Sequence, residues 1–165
     1  MTDALVDNLL YKINNYLKEN NITQANELVE EVLKIEQNQS IAWYLLARVY
    51  YQEDKFSEAL AAISKAAEME PKNKTIWLLG GYILVAERQY KEALEAFEYV
   101  LSLDEYNFEA MAGAFITSLI LKDEKKAKNY YELCNSFNKE LTKSFLKNFS
   151  EIFFMPSKKI PQELK

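Results

Sequence analysis

Apolar residues recur at helical spacing along nearly the whole chain, and short polar stretches interrupt them at regular intervals. Leu5, Leu9, Leu10, Ile13, Tyr16 and Leu17 form a first stripe, which Asn20-Asn21 ends. A second stripe starts from Thr23, read as an N-cap, runs through Ala25, Leu28, Val29, Val32, Leu33 and Ile35, and is closed by Gln37-Asn38-Gln39. Residues 40–73 repeat the scheme, with Glu53-Asp54-Lys55 breaking the two stripes and Pro71 ending the unit. Shifting by 34 residues gives 74–107, and a further shift gives 108–137, where Asp123 is a good N-cap before Ala127, Tyr130, Tyr131 and Cys134. Residues 138–155 set Leu141, Phe145, Phe149, Ile152 and Phe153 on one face, with Lys139, Lys143, Lys147 and Glu151 outside. The pattern predicts an all-α chain: hairpin units at about 6–39, 40–73, 74–107 and 108–137, then a helix over 138–155 that caps the stack. Residues 1–155 form one domain and 156–165 a polar tail.

The units share more than periodicity. In the central one, Trp43, Leu46, Ala47, Tyr50, Ala59, Ile63, Ala66 and Pro71 alternate small and large side chains at fixed places. Small residues let two antiparallel helices approach, large ones fill the gap to the next hairpin, and Pro ends the second helix. These eight positions resemble the tetratricopeptide repeat, with Ala47 in the slot usually held by Gly and Ile63 standing for Phe. The next unit carries Trp77, Gly81, Tyr90, Ala93, Phe97 and Leu103 in register, but has Gly80 for Leu, Leu84 for Tyr and Glu105 for Pro. Gly80-Gly81 inside a helix costs about 1 kcal/mol per Gly relative to Ala, which implies close helix contact or, alternatively, a hinge. The outer units are degenerate: Phe115 fills a slot that is normally small, and Leu9, Lys12 and Ile13 take the Trp, Leu and Gly slots of the first. The resemblance implies a right-handed superhelical solenoid of antiparallel helix hairpins.

Composition and charge narrow the function. Of 165 residues 49% are hydrophobic and 27% charged, with three Gly and three Pro, as in a folded helical chain. The net charge of −5 disfavours nucleic acid and anionic membranes as partners. It is unevenly spread: residues 1–39 hold three Lys against seven carboxylates, net −4, and residues 138–165 six Lys against three, net +3. No signal peptide or membrane span is evident and Cys134 is the sole cysteine, so a cytoplasmic protein without membrane insertion is expected. Histidine is absent, which removes the commonest general base and metal ligand, and no Gly-rich phosphate loop occurs. No enzyme activity, cofactor or metal is therefore expected. A carboxylate acid–base pair is the remaining catalytic alternative, although Glu27-Glu30-Glu31 and Glu92-Glu95-Glu98 read as solvated helix faces.

What remains is protein binding. In the family resembled, the first helix of each hairpin lines a concave groove. Carried over unit by unit, this implies groove positions Ile41, Tyr44, Arg48, Tyr51 and Gln52; then Thr75, Leu78, Tyr82, Val85 and Ala86; then Glu109, Ala112, Ile116, Leu119 and Ile120. The first unit offers Asp7, Leu10, Asn14, Leu17 and Lys18. Such a groove is apolar and aromatic, suited to a short apolar or aromatic segment of another protein held by an adaptor or chaperone. The Lys, Asn and Arg clamp that some members use on acidic chaperone tails is missing in either register. One register puts Leu10, Asn14, Leu45, Thr75 and Leu79 in its slots, the other Tyr44, Arg48, Leu79, Glu109 and Gly113. The same apolar surface is open to two other uses, cover by residues 138–155 or a homodimer interface. A narrower resemblance, through Leu103-Asp104-Glu105-Tyr106-Asn107, is to the cytoplasmic chaperones of type III secretion translocators, which would imply an aggregation-prone secreted client.

Overall fold

The computed structural model describes residues 2–36 and 39–152. Among them the chain is helical throughout: α1 (Thr2–Lys18), α2 (Ile22–Ile35), α3 (Ser40–Gln52), α4 (Phe56–Met69), α5 (Lys74–Ala86), α6 (Tyr90–Leu103), α7 (Phe108–Ile120), α8 (Glu124–Phe137) and α9 (Lys139–Ile152). Each helix packs on the next, so α1–α2, α3–α4, α5–α6 and α7–α8 are hairpins stacked in order. First helices of neighbouring hairpins also touch, α1 on α3, α3 on α5 and α5 on α7, with no comparable row of contacts among the second helices. The first helices therefore form the inner face of a curved solenoid and the second helices the outer one.

Four turns of one kind build the hairpins. Asn20, Asp54, Arg88 and Lys122, each 34 residues from the last, take left-handed backbone angles of φ 57–61°. The amide of the following residue (Asn21, Lys55, Gln89 or Asp123) donates to a carbonyl five residues back (Tyr16, Tyr50, Leu84 or Ser118) at 2.8–2.9 Å. The left-handed residue's own amide reaches back three, as in Asn20 to Leu17 and Lys122 to Leu119. This is the Schellman ending, which satisfies the last carbonyls of each first helix. The following residue then opens the second helix, and its carbonyl accepts from Ala25, Ala59, Ala93 or Ala127. All four alanines are buried, because a larger side chain there would push the hairpin's helices apart. Asn21 thus opens α2, and Thr23, expected at that place, lies inside the helix and exposed.

The joints between hairpins use side-chain caps. Asn73 accepts from the Thr75 amide at 3.1 Å, Asn107 from Ala110 at 2.9 Å and Asn138 from Leu141 at 2.9 Å. At two joints the end of a second helix is tied back to the start of the first helix of its own unit. Ser40 donates to the Glu70 carboxylate, and 34 residues on Lys74 pairs with Asp104 at 2.6 Å. A continuous core runs from Val6 through Ile83, and a second cluster gathers Ala93, Leu94, Phe97 and Ala114.

Phe97 explains two of the three glycines. A methyl added at Gly81 would come within 2.6 Å of its ring, and one added at Gly113 would do the same. The ring, fully buried, lies between the α5 and α7 backbones. Close contact therefore accounts for Gly81 but not Gly80, whose added methyl would meet nothing within 4 Å. Helix α5 runs unbroken through both. Phe115, in the slot expected to be small, is buried and tilts against Tyr131 at 6.0 Å; the small residue on α7 is Gly113, two positions earlier. Cys134 is 1% exposed, and burial pushes its thiol up to about 11, so it packs as a small apolar residue.

Helix α9 packs on α8, as the first helix of a fifth hairpin would. Phe145 joins Phe108 and Phe137 in an aromatic cluster at the end of the stack, 6.2 and 6.0 Å from ring to ring through Phe108. Leu141, expected on its apolar face, stays 42% exposed, and Thr142 is the buried residue instead. Among the described residues α9 does not cover α3 or α5. The tail expected over 156–165, and the end of the 138–155 helix beyond Ile152, lie outside the described residues.

Candidate functional site

The inner face is set by periodicity. Residues three and four apart on α3, α5 and α7 share one helix side, and where the other side is buried in the hairpin this one is left to the groove. On α3, Ile41 and Gln52 are exposed and Tyr44, Arg48 and Tyr51 half-buried. Arg48 donates to Asn14 of α1 at 3.1 Å, and its guanidinium lies 5.9 Å from the Tyr44 ring. Asn14 in turn donates to the Leu10 carbonyl at 3.2 Å. The cation is thus engaged from two sides.

Tyr51 leans on Phe56, ring centroids 5.7 Å apart, and burial, then Asp54, raise its phenol above the ordinary range. On α5, Thr75 is exposed, while Leu78, Tyr82, Val85 and Ala86 are half-buried. Tyr82 stands edge-on to Phe97 at 5.4 Å, so the buried ring that joins α5 to α7 also props up a groove residue. Its phenol is pushed up to about 12, first by burial, then by the charges of Glu109 and Tyr51. On α7, Glu109 and Ile120 are exposed and Ile116 and Leu119 half-buried.

Arg48 sits against Tyr44 on α3, and the charges of Tyr51 on α3 and Glu109 on α7 act on Tyr82 of α5 between them. The structure takes other expected residues out of the groove. Leu10, Leu17 and Ala112 are buried in the core, whereas Tyr44 and Tyr51, one unit on from Leu10 and Leu17, are half-buried. Sequence reasoning missed the Arg48–Asn14 bridge; the signal was the 34-residue separation of two polar residues at one repeat position. It also missed Asp54, whose charge acts on Tyr51.

Two clefts lie outside the groove. One of about 540 Å³ is lined by Glu98, Met111, Tyr130 and Phe137 among others, with Lys126 and Tyr130 both bonded to Glu98 at 2.6 and 2.8 Å. The other, about 340 Å³, opens beside Gly80 between α4 and α5, against Ile63, Trp77 and Leu84. Among the described residues no group of three Cys, Asp or Glu side chains is placed to hold a metal ion. No helix of the described residues is long and apolar enough to cross a membrane.

Known proteins place this geometry. The tetratricopeptide repeat profile matches residues 16–80. No curated protein matches the chain. Among solved structures, MamA superposes with a TM-score of 0.76 at 17% identity, over 84% of this chain and 81% of that one. The structure titled for pilF of Pseudomonas aeruginosa gives 0.76 at 23% identity, over 84% and 63%. The first such domain of Spaghetti (RPAP3), solved with the HSP90 peptide SRMEEVD, gives 0.69 at 22% identity, over 71% and 93%. An O-GlcNAc transferase from Thermobaculum terrenum also matches, with a TM-score of 0.69 at 19% identity, but this chain covers only 23% of it. At these identities the likeness establishes the fold.

Proposed function

We propose that the chain is a non-catalytic interaction module of the tetratricopeptide-repeat kind, an adaptor or chaperone that holds an apolar or aromatic segment of another protein in its groove; the profile match and the fold likeness support this. The observation that supports this reading is the row of half-buried Tyr44, Tyr51 and Tyr82, flanked by Leu78, Val85, Ile116 and Leu119, with α9 packed away from α3 and α5. Aromatic anchors of this kind dominate binding energy where they fill or line pockets. The acidic SRMEEVD peptide of the RPAP3 domain is a poor fit here, since the cation among the α3, α5 and α7 groove positions, Arg48, is tied to Asn14.

The narrower role as a chaperone of secreted translocators gains nothing from the Leu103–Asn107 joint. Asn107 caps α7 as Asn73 caps α5, so any joint of this geometry favours that residue. The groove reading is tested by capture from the source cells with wild type and with Tyr51→Asp, Ile116→Asp. Loss of a specific protein with the double variant, at unchanged thermal stability, is the expected result. Recovery of the same proteins by both would place binding elsewhere.

A further inference from the structure

Two glycines stand side by side in α5, and only one has a reason inside the chain. Gly81 makes room for the Phe97 ring, whereas a methyl at Gly80 would meet nothing within 4 Å. Positions 34 apart are equivalent, so the places of Ile63 and Gly80, which line one cleft, are taken one unit upstream by Val29 and Leu46 and one unit downstream by Phe97 and Ala114. Upstream, Leu46 is buried in the core with Val29; downstream, the Phe97 ring supplies the bulk and Ala114 is small. The middle place has no such bulk, and the cleft of about 340 Å³ opens there. A glycine inside a helix costs helix propensity, and here it forfeits the packing that Leu46 provides as well. A bare backbone facing a cleft is what close approach of a ligand requires.

The cleft has a fixed wall. Trp77 stands edge-on to Tyr99 at 4.8 Å, and its indole N–H donates to the Pro71 carbonyl at 2.7 Å, as the Tyr99 hydroxyl does at 3.0 Å. Ser64 turns its hydroxyl to the Leu60 carbonyl at 2.8 Å. Trp77 and Ser64 thus spend their donors within the chain. Glu68, which also lines the cleft, is exposed and forms no ion pair among the described residues. Lys65, three residues before it, lies instead over the Trp43 ring at 4.0 Å.

We infer that the cleft beside Gly80 is a second binding site, separate from the groove, which takes one aliphatic side chain of leucine size from another protein and pairs a neighbouring Lys or Arg of that segment with Glu68. The repeat itself shows what fits: Leu46 fills the equivalent place from within. A preformed apolar cleft with one carboxylate selects an aliphatic group beside a cation, while an acidic segment meets Glu68 and a chain of net charge −5.

The test selects phage-displayed random peptides on the wild-type protein, on Gly80→Leu, which puts the missing side chain back, and on the groove variant Tyr51→Asp, Ile116→Asp. Enriched peptides are then titrated by fluorescence anisotropy. The expected result is a class of peptides with an aliphatic residue beside Lys or Arg, enriched on wild type and on the groove variant alike, and bound about tenfold more weakly by Gly80→Leu. Gly80→Ala should weaken them to an intermediate degree, and Glu68→Lys by about threefold, with binding to Glu68→Lys recovered when the peptide's basic residue is replaced by Glu. Should Gly80→Leu fail to fold, the Gly80→Ala and Glu68→Lys titrations decide by the same readings. Peptides bound equally by wild type, both Gly80 variants and Glu68→Lys would overturn this inference; their loss on the groove variant alone would leave the groove reading intact.

Discussion

At the scale of single residues, the pairing of large with small decides the packing. Phe97 is accommodated by Gly81 on its own hairpin and Gly113 on the next. One unit upstream the corresponding pair is Ile63 with Ala47, the same trade of ring for methyl. Gly81→Ala is expected to destabilise, because overpacking a fully buried ring, about 1–3 kcal/mol, outweighs a helix-propensity gain of about 1 kcal/mol. Adding Phe97→Ile should restore stability, giving a favourable coupling in a double-mutant cycle read by urea denaturation. Gly80→Ala, which meets open space, should instead raise the melting temperature by about 2–4 °C. The sequence showed Gly80-Gly81 as one anomaly. Only the direction of each Cα–Cβ bond separates them, and a repeat alignment does not carry that. The alignment also pointed to Phe115 as the misfit of the fourth unit, whereas the partner of Phe97 is Gly113, two residues away.

At the scale of elements, the four hairpin turns repeat a conformation rather than a residue. Asn20 and Asp54 tolerate left-handed angles through their short polar side chains, but Arg88 and Lys122 pay for a Cβ close to the following carbonyl. Arg88→Gly and Lys122→Gly are each expected to stabilise the fold by up to about 1 kcal/mol, measured as a rise in the denaturation midpoint with an unchanged slope. No glycine marks these turns, so the sequence located them by polar interruption alone. For that reason the start of α2 was expected two residues late, at Thr23 instead of Asn21, while Asp123, which caps by its side chain, was placed correctly.

At the scale of the whole molecule, stacking order governs stability. The α3–α4 and α5–α6 hairpins each have a whole hairpin on either side, whereas α9 packs on α8 and meets α7 through Phe145. Amide exchange is therefore expected to be slowest in α3–α6 and fastest in α9 among the described helices, following nearest-neighbour opening from the ends; uniform protection would contradict it. The all-helical stack was legible because Trp43, Ala47, Ala59 and Pro71 lie at spacings that only a hairpin explains. The inner face was legible in part: Tyr44, Tyr51 and Tyr82 were placed on it by repeat position, while the bond from Arg48 to Asn14 depends on how much one hairpin turns against the last. That turn has a local gauge. Between α5 and α7 it is the ring of Phe97, whose tip lies against the Gly81 and Gly113 backbones. The curvature of the inner face from Tyr82 to Ile116, and with it the length of segment that fits, is thus adjustable by a side chain that no ligand touches.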